Sequence, residues 1–519
     1  MTILRAAIIA ALSILFAAPQ ASAQDVTLTS RDGDVEISGD LLGFDGEFYR
    51  VDSIYGELTI DGSGVRCEGP GCPNLDQFIA RLTFAGAPTI GRVLMPGLIE
   101  AFSIKGDYDL ERRSLSDTEF TYVIAEKDSG QTVGEFVFQL TNTDEGFADL
   151  LANEADIVMS LREVYDEEIK RGREVGLGNL SARGRSRVLA LDALVPVVSP
   201  TNPVQDITTQ ELADVLSGNI SNWAVLGGPD APIAVHLLDG KTGLGQATID
   251  QVLSPAQAKP VASAVRHAND VQLLDAVMAD PFAIGVTSRS DTGNTWPLAL
   301  KGNCGFAMQA TRRAVKTEDY PLTTPLFLYM PARRFPKLVR EFLTYLRDPS
   351  AQLVIRRAGF VDQAPEEIEI NAQGDRFANA IARAGDEISL EQLQKMVSTL
   401  APLRRLTTTF RFEPGSARLD AQSRSNVLQL ARSLELGHYD ARRLVFVGFS
   451  DGQGPAPGNL RIAGKRAEAV MRAVTRAAET ANLSRIGIET IAFGEAMPMA
   501  CDTSEWGRRV NRRVEVWVR

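Results

Sequence analysis

Leu444-Val445-Phe446-Val447-Gly448-Phe449-Ser450-Asp451-Gly452-Gln453-Gly454 runs an apolar strand into a glycine-rich loop, and Gly507-Arg508-Arg509-Val510-Asn511-Arg512-Arg513-Val514-Glu515 follows some fifty residues later. Working outward, Phe412-Glu413-Pro414-Gly415-Ser416-Ala417-Arg418-Leu419 comes after a strand and opens onto a long helix. Asn459 precedes a helix carrying Lys465-Arg466-Ala467, and Arg513–Val518 reads as a last strand. Strand, helix, strand, helix, strand, strand over residues 402–519 is the pattern of a compact α/β unit. The string Gly448-Phe449-Ser450-Asp451-Gly452 also matches the GxSxG nucleophile elbow. That chemistry needs a helix directly after the serine and a histidine in reach, whereas Pro455, Pro457 and Gly458 follow here, so serine hydrolysis is set aside.

These four motifs, in this order, resemble the OmpA-like peptidoglycan-binding domain over some 110 residues: an FxxxSAxL start, a GHTDxxG loop, an Asn and xRA helix, and a terminal GRxxNRRV. The resemblance implies an OmpA-like α/β sandwich. It also implies that Asp451 meets the ammonium of the diaminopimelate side chain in the peptidoglycan stem peptide, while Arg466 grips its carboxylate. Ser450, Asn459, Arg508, Asn511 and Arg512 would shape the pocket. One carboxylate and one guanidinium suit a zwitterion, each contact being a charge-assisted hydrogen bond of roughly 1.5–3 kcal/mol. The family's histidine and threonine are Phe449 and Ser450 here. The hydroxyl is kept, and Phe449 is expected to point into the core.

Upstream, strands alternate with helical stretches from about Leu75 to Phe360, which argues for an α/β sheet. Arg81–Ala85 and Ala155–Val158 read as strands and Thr89–Phe102 as a helix. Asn202-Pro203, the run Leu212-Ala213-Asp214-Val215-Leu216-Ser217-Gly218-Asn219-Ile220-Ser221-Asn222-Trp223, and Tyr320-Pro321-Leu322 with Pro325-Leu326-Phe327 resemble the phosphate-type periplasmic solute-binding protein of ABC importers. That resemblance implies two α/β lobes joined by crossing strands, Asp192–Val198 among them, with a small anion, possibly phosphate, in the cleft and an ABC permease as partner.

Anions bind at strand-to-helix turns, where free N–H groups and the helix dipole converge. Three turns qualify: Ala87-Pro88-Thr89-Ile90, Asn142-Thr143-Asp144-Glu145-Gly146, and Asp239-Gly240-Lys241-Thr242-Gly243-Leu244-Gly245. Met159-Ser160-Leu161-Arg162 is a fourth segment. Candidate cleft contacts are Thr89, Arg162, Lys241, Thr242 and Gly243. The departures are chemical. Asp144 and Glu145 stand where the family has hydroxyls, Leu161 where it has serine, and two carboxylates repel phosphate unless the loop turns away or Lys241 and Arg162 compensate. A Walker loop would need glycine at position 235, which is Val235, so no nucleotide site is expected.

The first segment has Arg5, an apolar run Ala6–Ala18 and Ala21-Ser22-Ala23. This is the layout of an export signal over residues 1–23, cleaved before Gln24, and its run is short of the roughly 20 residues needed to span a bilayer. Residues 24–74 alternate apolar and polar between Asp-Gly and Ser-Gly turns and read as a small β-rich segment. The solute-binding region is placed at 75–365 and a polar helical linker at 366–401. In an oxidising compartment Cys67 and Cys72, bracketing Glu-Gly-Pro-Gly, are read as a disulfide ahead of a metal site. Cys304 and Cys501 could pair or stay as buried thiols.

Net charge is −12, divided as +7 over residues 401–519 and −19 over residues 1–400. A general nucleic-acid binder would need a basic footprint. His236, His267 and His438 stand too far apart for a histidine motif, and no cofactor or metal is expected. No acid/base or nucleophile constellation marks an enzyme. The reading is an exported, periplasmic, α/β multidomain binding protein held at the cell wall or outer membrane. The alternative is a structural envelope protein whose binding-protein-like region is a protein-contact scaffold.

Overall fold

The computed structural model describes residues 25–74, 78–301, 307–385, 387–413, 416, 418–502 and 505–519, with 505 and 506 described by backbone alone. The expected export segment, Cys304, and Pro414, Gly415 and Ala417 of the motif above lie outside these residues.

Residues 26–68 form an antiparallel five-stranded sheet in the order Gly56–Asp61, Phe48–Ser53, Glu36–Phe44, Val26–Ser30, Val65–Glu68. Period-two alternation puts Val26, Leu28, Tyr49 and Val51 on one face, where they make a small core. Asp45 holds the turn before Phe48–Ser53 by accepting from the backbone N–H groups of Glu47 and Phe48 at 2.9 and 2.7 Å. Cys67 and Cys72 are joined by a disulfide, as the sequence led us to expect. Within this unit Arg334 pairs with Asp45 at 2.6 Å and with Glu47 at 2.5 Å.

The solute-binding-like region is built on two long antiparallel strands. Ser186–Val198 runs its first half against Thr323–Tyr329, with Arg187 opposite Leu328 and Asp192 opposite Thr324. Its second half, Leu194–Val198, pairs with Ala283–Ser288. The near-continuous apolar run Val188–Val198 is what a strand covered on both faces requires, and it is buried throughout. One lobe continues through Ile157–Ser160, parallel to Ala80–Gly86, and the other through Ala234–Leu238, parallel to Ala283–Ser288. The Leu212–Trp223 run has a local cause. Thr208 caps the helix Thr209–Ser217 in a capping box with Glu211, Gly218 ends it at φ 83°, and Trp223 buries its ring while donating to the Phe282 carbonyl at 2.9 Å.

The C-terminal sheet has the order Glu367–Ile368, Arg404–Arg411, Arg513–Val518, Arg443–Phe449, Gly487–Gly494. Helices Ala421–Glu435 and Ala456–Ala477 cover one face through Val427, Leu430, Ala467 and Val470. The other face, carrying Val445, Val447, Phe449 and Trp517, is covered by Ala380, Leu393, Met396 and Leu400. Those residues belong to Gly374–Ala382 and Leu390–Leu400, helices inside the stretch read above as a linker. That reading is corrected: residues 367–400 add an edge strand and a helical layer to the sheet, because its second apolar face needs a cover. No helix among the described residues is long and apolar enough to cross a membrane.

Candidate functional site

The C-terminal site follows from register. Phe449 pairs with Arg513 across antiparallel strands, so Ser450-Asp451 leaves one strand beside Arg512 entering the other. Gly448 sets the height of the helix above: a Cβ there would stand 2.1 Å from the Ala463 carbonyl oxygen, so the backbones meet as only glycine permits. Asn459 and Arg466 lie four residues before and three after Ala463, and so share its helix face, over the loop. Ser416, Ser450, Asp451, Gln453, Asn459, Ile462, Lys465, Arg466 and Arg512 line the resulting cavity of about 440 Å³.

Asp451 is 9% exposed and accepts from Arg512 Nη1 at 2.8 Å through Oδ2. Its Oδ1 accepts no hydrogen bond from a described residue. Arg466 stacks its guanidinium 5.2 Å from the Phe412 ring and makes no hydrogen bond or ion pair among the described residues. Burial and the charge of Arg512 push its pKa down, while Asp451 opposes. Ser450 Oγ is buried without a partner. Asn459 is oriented by donating to Glu495 Oε2 at 2.6 Å and to the Gly454 carbonyl at 3.2 Å.

Two of the expected residues support the wall and do not line it. Asn511 is fully buried; its Oδ1 accepts from Met499 N and Ala500 N, and its Nδ2 donates to Ala500 O and Asp502 Oδ1. Arg508 Nη1 donates to the Asp502 carbonyl at 2.7 Å. Asp502 in turn accepts from Gly452 N at 2.6 Å, which ties this segment to the Asp451 loop. Lys465 and Gln453 line the cavity without having been singled out from sequence. Phe449 is buried in the sheet core, with the Arg513 guanidinium 4.3 Å from its ring centroid. Cys501 is disulfide-bonded.

In the solute-binding-like region the four expected segments do converge. Asn142 Nδ2 donates to the Lys241 carbonyl at 3.2 Å, and Leu161 N donates to Thr143 Oγ1 at 3.1 Å. A Cβ on Gly243 would lie 3.3, 3.4 and 3.5 Å from Ala87, Pro88 and Leu161 side-chain atoms, so the Cα of Gly243 packs against them. Thr242 Oγ1 is used twice, accepting from Gly245 N and donating to the Asp239 carbonyl. Asn142 caps its own helix by accepting from Glu145 N at 2.9 Å.

Arg162, expected to face a solute anion, is held by carboxylates. Its Nη1 and Nη2 donate to Glu168 at 3.0 and 2.7 Å, Nη2 also donates to Asp144, and the guanidinium stacks 3.6 Å from the Tyr165 ring. Those partners hold its pKa above the ordinary value against a desolvation that would lower it. The charge at 144 is thus compensated from within. Lys241 is exposed and Thr89 is half-buried without a capping bond. Glu168 was the missed residue. Among the described residues no group of three His, Cys, Asp or Glu could hold a metal ion.

Comparison with other proteins gives the class. Residues 117–349 match the PBP superfamily domain and residues 411–512 match the OmpA family. Over 212 residues the chain is 24% identical to the phosphate-binding protein PstS of Borreliella burgdorferi, covering 40% of this chain and 71% of that protein. It is 26% identical over 275 residues to the protein SphX of Synechococcus elongatus, covering 49% and 78%. An ABC-type phosphate transport receptor from Vibrio cholerae superposes with a TM-score of 0.42 at 19% identity, over 55% of this chain and all of that one. The chain therefore carries a stretch that matches the PBP superfamily domain, similar in sequence to phosphate-binding proteins, followed by one that matches the OmpA family.

Proposed function

We propose that the protein is a periplasmic envelope protein held non-covalently on peptidoglycan by its C-terminal cavity. The observation that carries this is the pairing of a buried carboxylate having one free oxygen, Asp451, with a guanidinium lacking any described hydrogen bond, Arg466, on one 440 Å³ cavity. A diaminopimelate side chain brings an ammonium for Asp451 and a carboxylate for Arg466. Ser450 Oγ, buried and unpartnered, is a further polar contact for that ligand. Membership of the OmpA family supports the same reading. Co-sedimentation with purified sacculi tests it: the wild type is retained, and Asp451→Ala and Arg466→Ala are not. Retention of both variants at the wild-type level sinks the assignment.

The names of the relatives favour capture of a small anion such as phosphate, and its delivery to an ABC permease, by the PBP-like domain. The cleft geometry favours the other reading, a PBP-like body used as a protein-contact scaffold. Asp144 and Glu168 occupy Arg162, the arginine expected to face a solute anion. Calorimetric titration of the full chain with phosphate separates the two, since binding at millimolar concentration would restore solute capture.

A further inference from the structure

The strand Ser186–Val198 begins Ser186-Arg187-Val188-Leu189, just after Arg183-Gly184. It lies near the helix Ala421–Glu435 and the last turn of the helix Ala456–Ala477. Between them is a cavity of about 270 Å³. Its floor is apolar, made by Val188, Leu346, Leu419, Val427 and Leu428. Its lining also carries five guanidinium groups, Arg183, Arg187, Arg347, Arg424 and Arg476, and no carboxylate.

That composition is unlike the rest of a chain whose net charge is −12. Elsewhere fully buried arginines are answered by acids, Arg405 by Asp319 at 2.6 Å, Arg513 by Glu515 at 2.7 Å and Arg411 by Glu318 at 3.5 Å, whereas here Arg187 and Arg424 are half-buried and Arg183, Arg347 and Arg476 are exposed. Around this cavity, among the described residues, Arg424 alone reaches a carboxylate, Glu413, at 3.5 Å. Arg183, Arg347 and Arg476 make no side-chain hydrogen bond or ion pair among the described residues. Arg187 donates through Nη1 to the Leu343 carbonyl, but its Nε is buried without a partner. Burial and the charge of Arg347 push the pKa of Arg187 down to about 9.

Like charges gathered without a counter-ion repel, and a bound anion relieves that repulsion. Guanidinium groups are suited to carboxylate and phosphate oxygens, which they grip in pairs. A bare inorganic ion would leave the apolar floor uncovered, and a neutral hydrocarbon would leave the arginines unanswered. We infer that this cavity binds a small amphiphilic anion, with a carboxylate or phosphate-monoester head held by the arginines and a short aliphatic body on the apolar floor. At about 30 Å³ per water-sized group the space takes about nine non-hydrogen atoms, close to the size of octanoate with its carboxylate. Because the lining comes from both the PBP-like and the OmpA-like parts of the chain, the ligand would also tie those parts together.

The test titrates the full chain calorimetrically with octanoate and with octyl phosphate, and with octanol and inorganic phosphate as controls. One amphiphile or both should bind at a single site, about tenfold or more tighter than either control. Arg347→Gln and Arg476→Gln alter exposed side chains, and each should weaken binding about tenfold, the loss of one charge-assisted contact, with an unchanged melting temperature. Tighter octanoate identifies a carboxylate head and tighter octyl phosphate a phosphomonoester; both support the site. Failure of both amphiphiles to bind at about 1 mM would overturn it. So would equal binding of inorganic phosphate, unaltered affinity in both Arg347→Gln and Arg476→Gln, or loss of binding in Arg466→Ala, which would move the ligand to the other cavity.

Discussion

Raising the pH from 6.5 to 8 is expected to lower the stability of the fold, through two carboxyl groups packed against one aspartate. Glu318 is buried between Arg411 and Asn426, and burial, with the charge of Asp420, pushes its pKa from 4.5 up to about 7 against the pull of Arg411. Glu163 accepts from Ala421 N at 3.3 Å and is likewise pushed up to about 7, by burial first and Asp420 second, with Arg509 and Arg424 opposing. In the unfolded chain both groups titrate near 4.5, so between 4.5 and 7 the folded state binds more protons. Stability is therefore fully present below the unfolded value and is lost as pH rises through about 7.

At about 1.4 kcal/mol per pH unit, each group loses roughly 1 kcal/mol between pH 6.5 and 8. Asp192, Asp250 and Asp270, raised by burial, act with the same sign. His236 and His267, lowered by burial, oppose only below their unfolded value of 6.5, and Glu366, held near 2, is silent throughout. The melting temperature should fall by about 2–6 °C over that interval, and Glu318→Gln should remove about half of the slope contributed by the pair. A melting temperature that stays flat or rises from pH 6.5 to 8, or a Glu318→Gln slope equal to the wild type, would refute the reasoning.

Arg405 is 1% exposed and lies between Asp319 at 2.6 Å and Glu515 at 3.4 Å, so Arg405→Ala strands the buried carboxylate of Asp319, while Glu515 keeps Arg376 and Arg513. We expect a loss of about 3–5 kcal/mol in urea denaturation, and a loss below about 1 kcal/mol would mean that the network is not coupled. Phe449→Leu keeps most of the buried volume and should cost about 1.5 kcal/mol while leaving sacculus retention unchanged, because the ring faces the core and not the cavity. Phosphate at millimolar concentration should give neither heat nor a thermal shift, since Arg162 is already paired.

The C-terminal site was legible because its chemistry sits at motif spacing. The resemblance to the OmpA-like domain pointed to Asp451, Asn459 and Arg466, and one strand register and one helix face bring them together in the structure. The cleft was half legible. The turns at 87–90, 142–146 and 239–245 were found, and so was the excess of carboxylate at 144. The capture of Arg162 by Glu168 depends on a side-chain direction that no spacing encodes.

The stretch 374–400 was read as helical, but its packing on the sheet was missed although the signal was present. Leu393, Met396 and Leu400 recur at helical spacing, and the apolar run Leu444–Phe449 is that of a strand covered on both faces, which calls for a second layer. The arginine-lined cavity carried no sequence signal, since Arg183, Arg347, Arg424 and Arg476 meet only through tertiary packing.

The central claim is that Asp451 and Arg466 read a zwitterionic stem-peptide side chain. Its most direct test is equilibrium titration of the full chain with a muropeptide carrying diaminopimelate, beside the same peptide with that side-chain carboxylate amidated. The account predicts binding of the first, and a loss of about tenfold or more on amidation, on Asp451→Ala and on Arg466→Ala. Equal affinity for the two peptides, or an unchanged affinity in both variants, would contradict it.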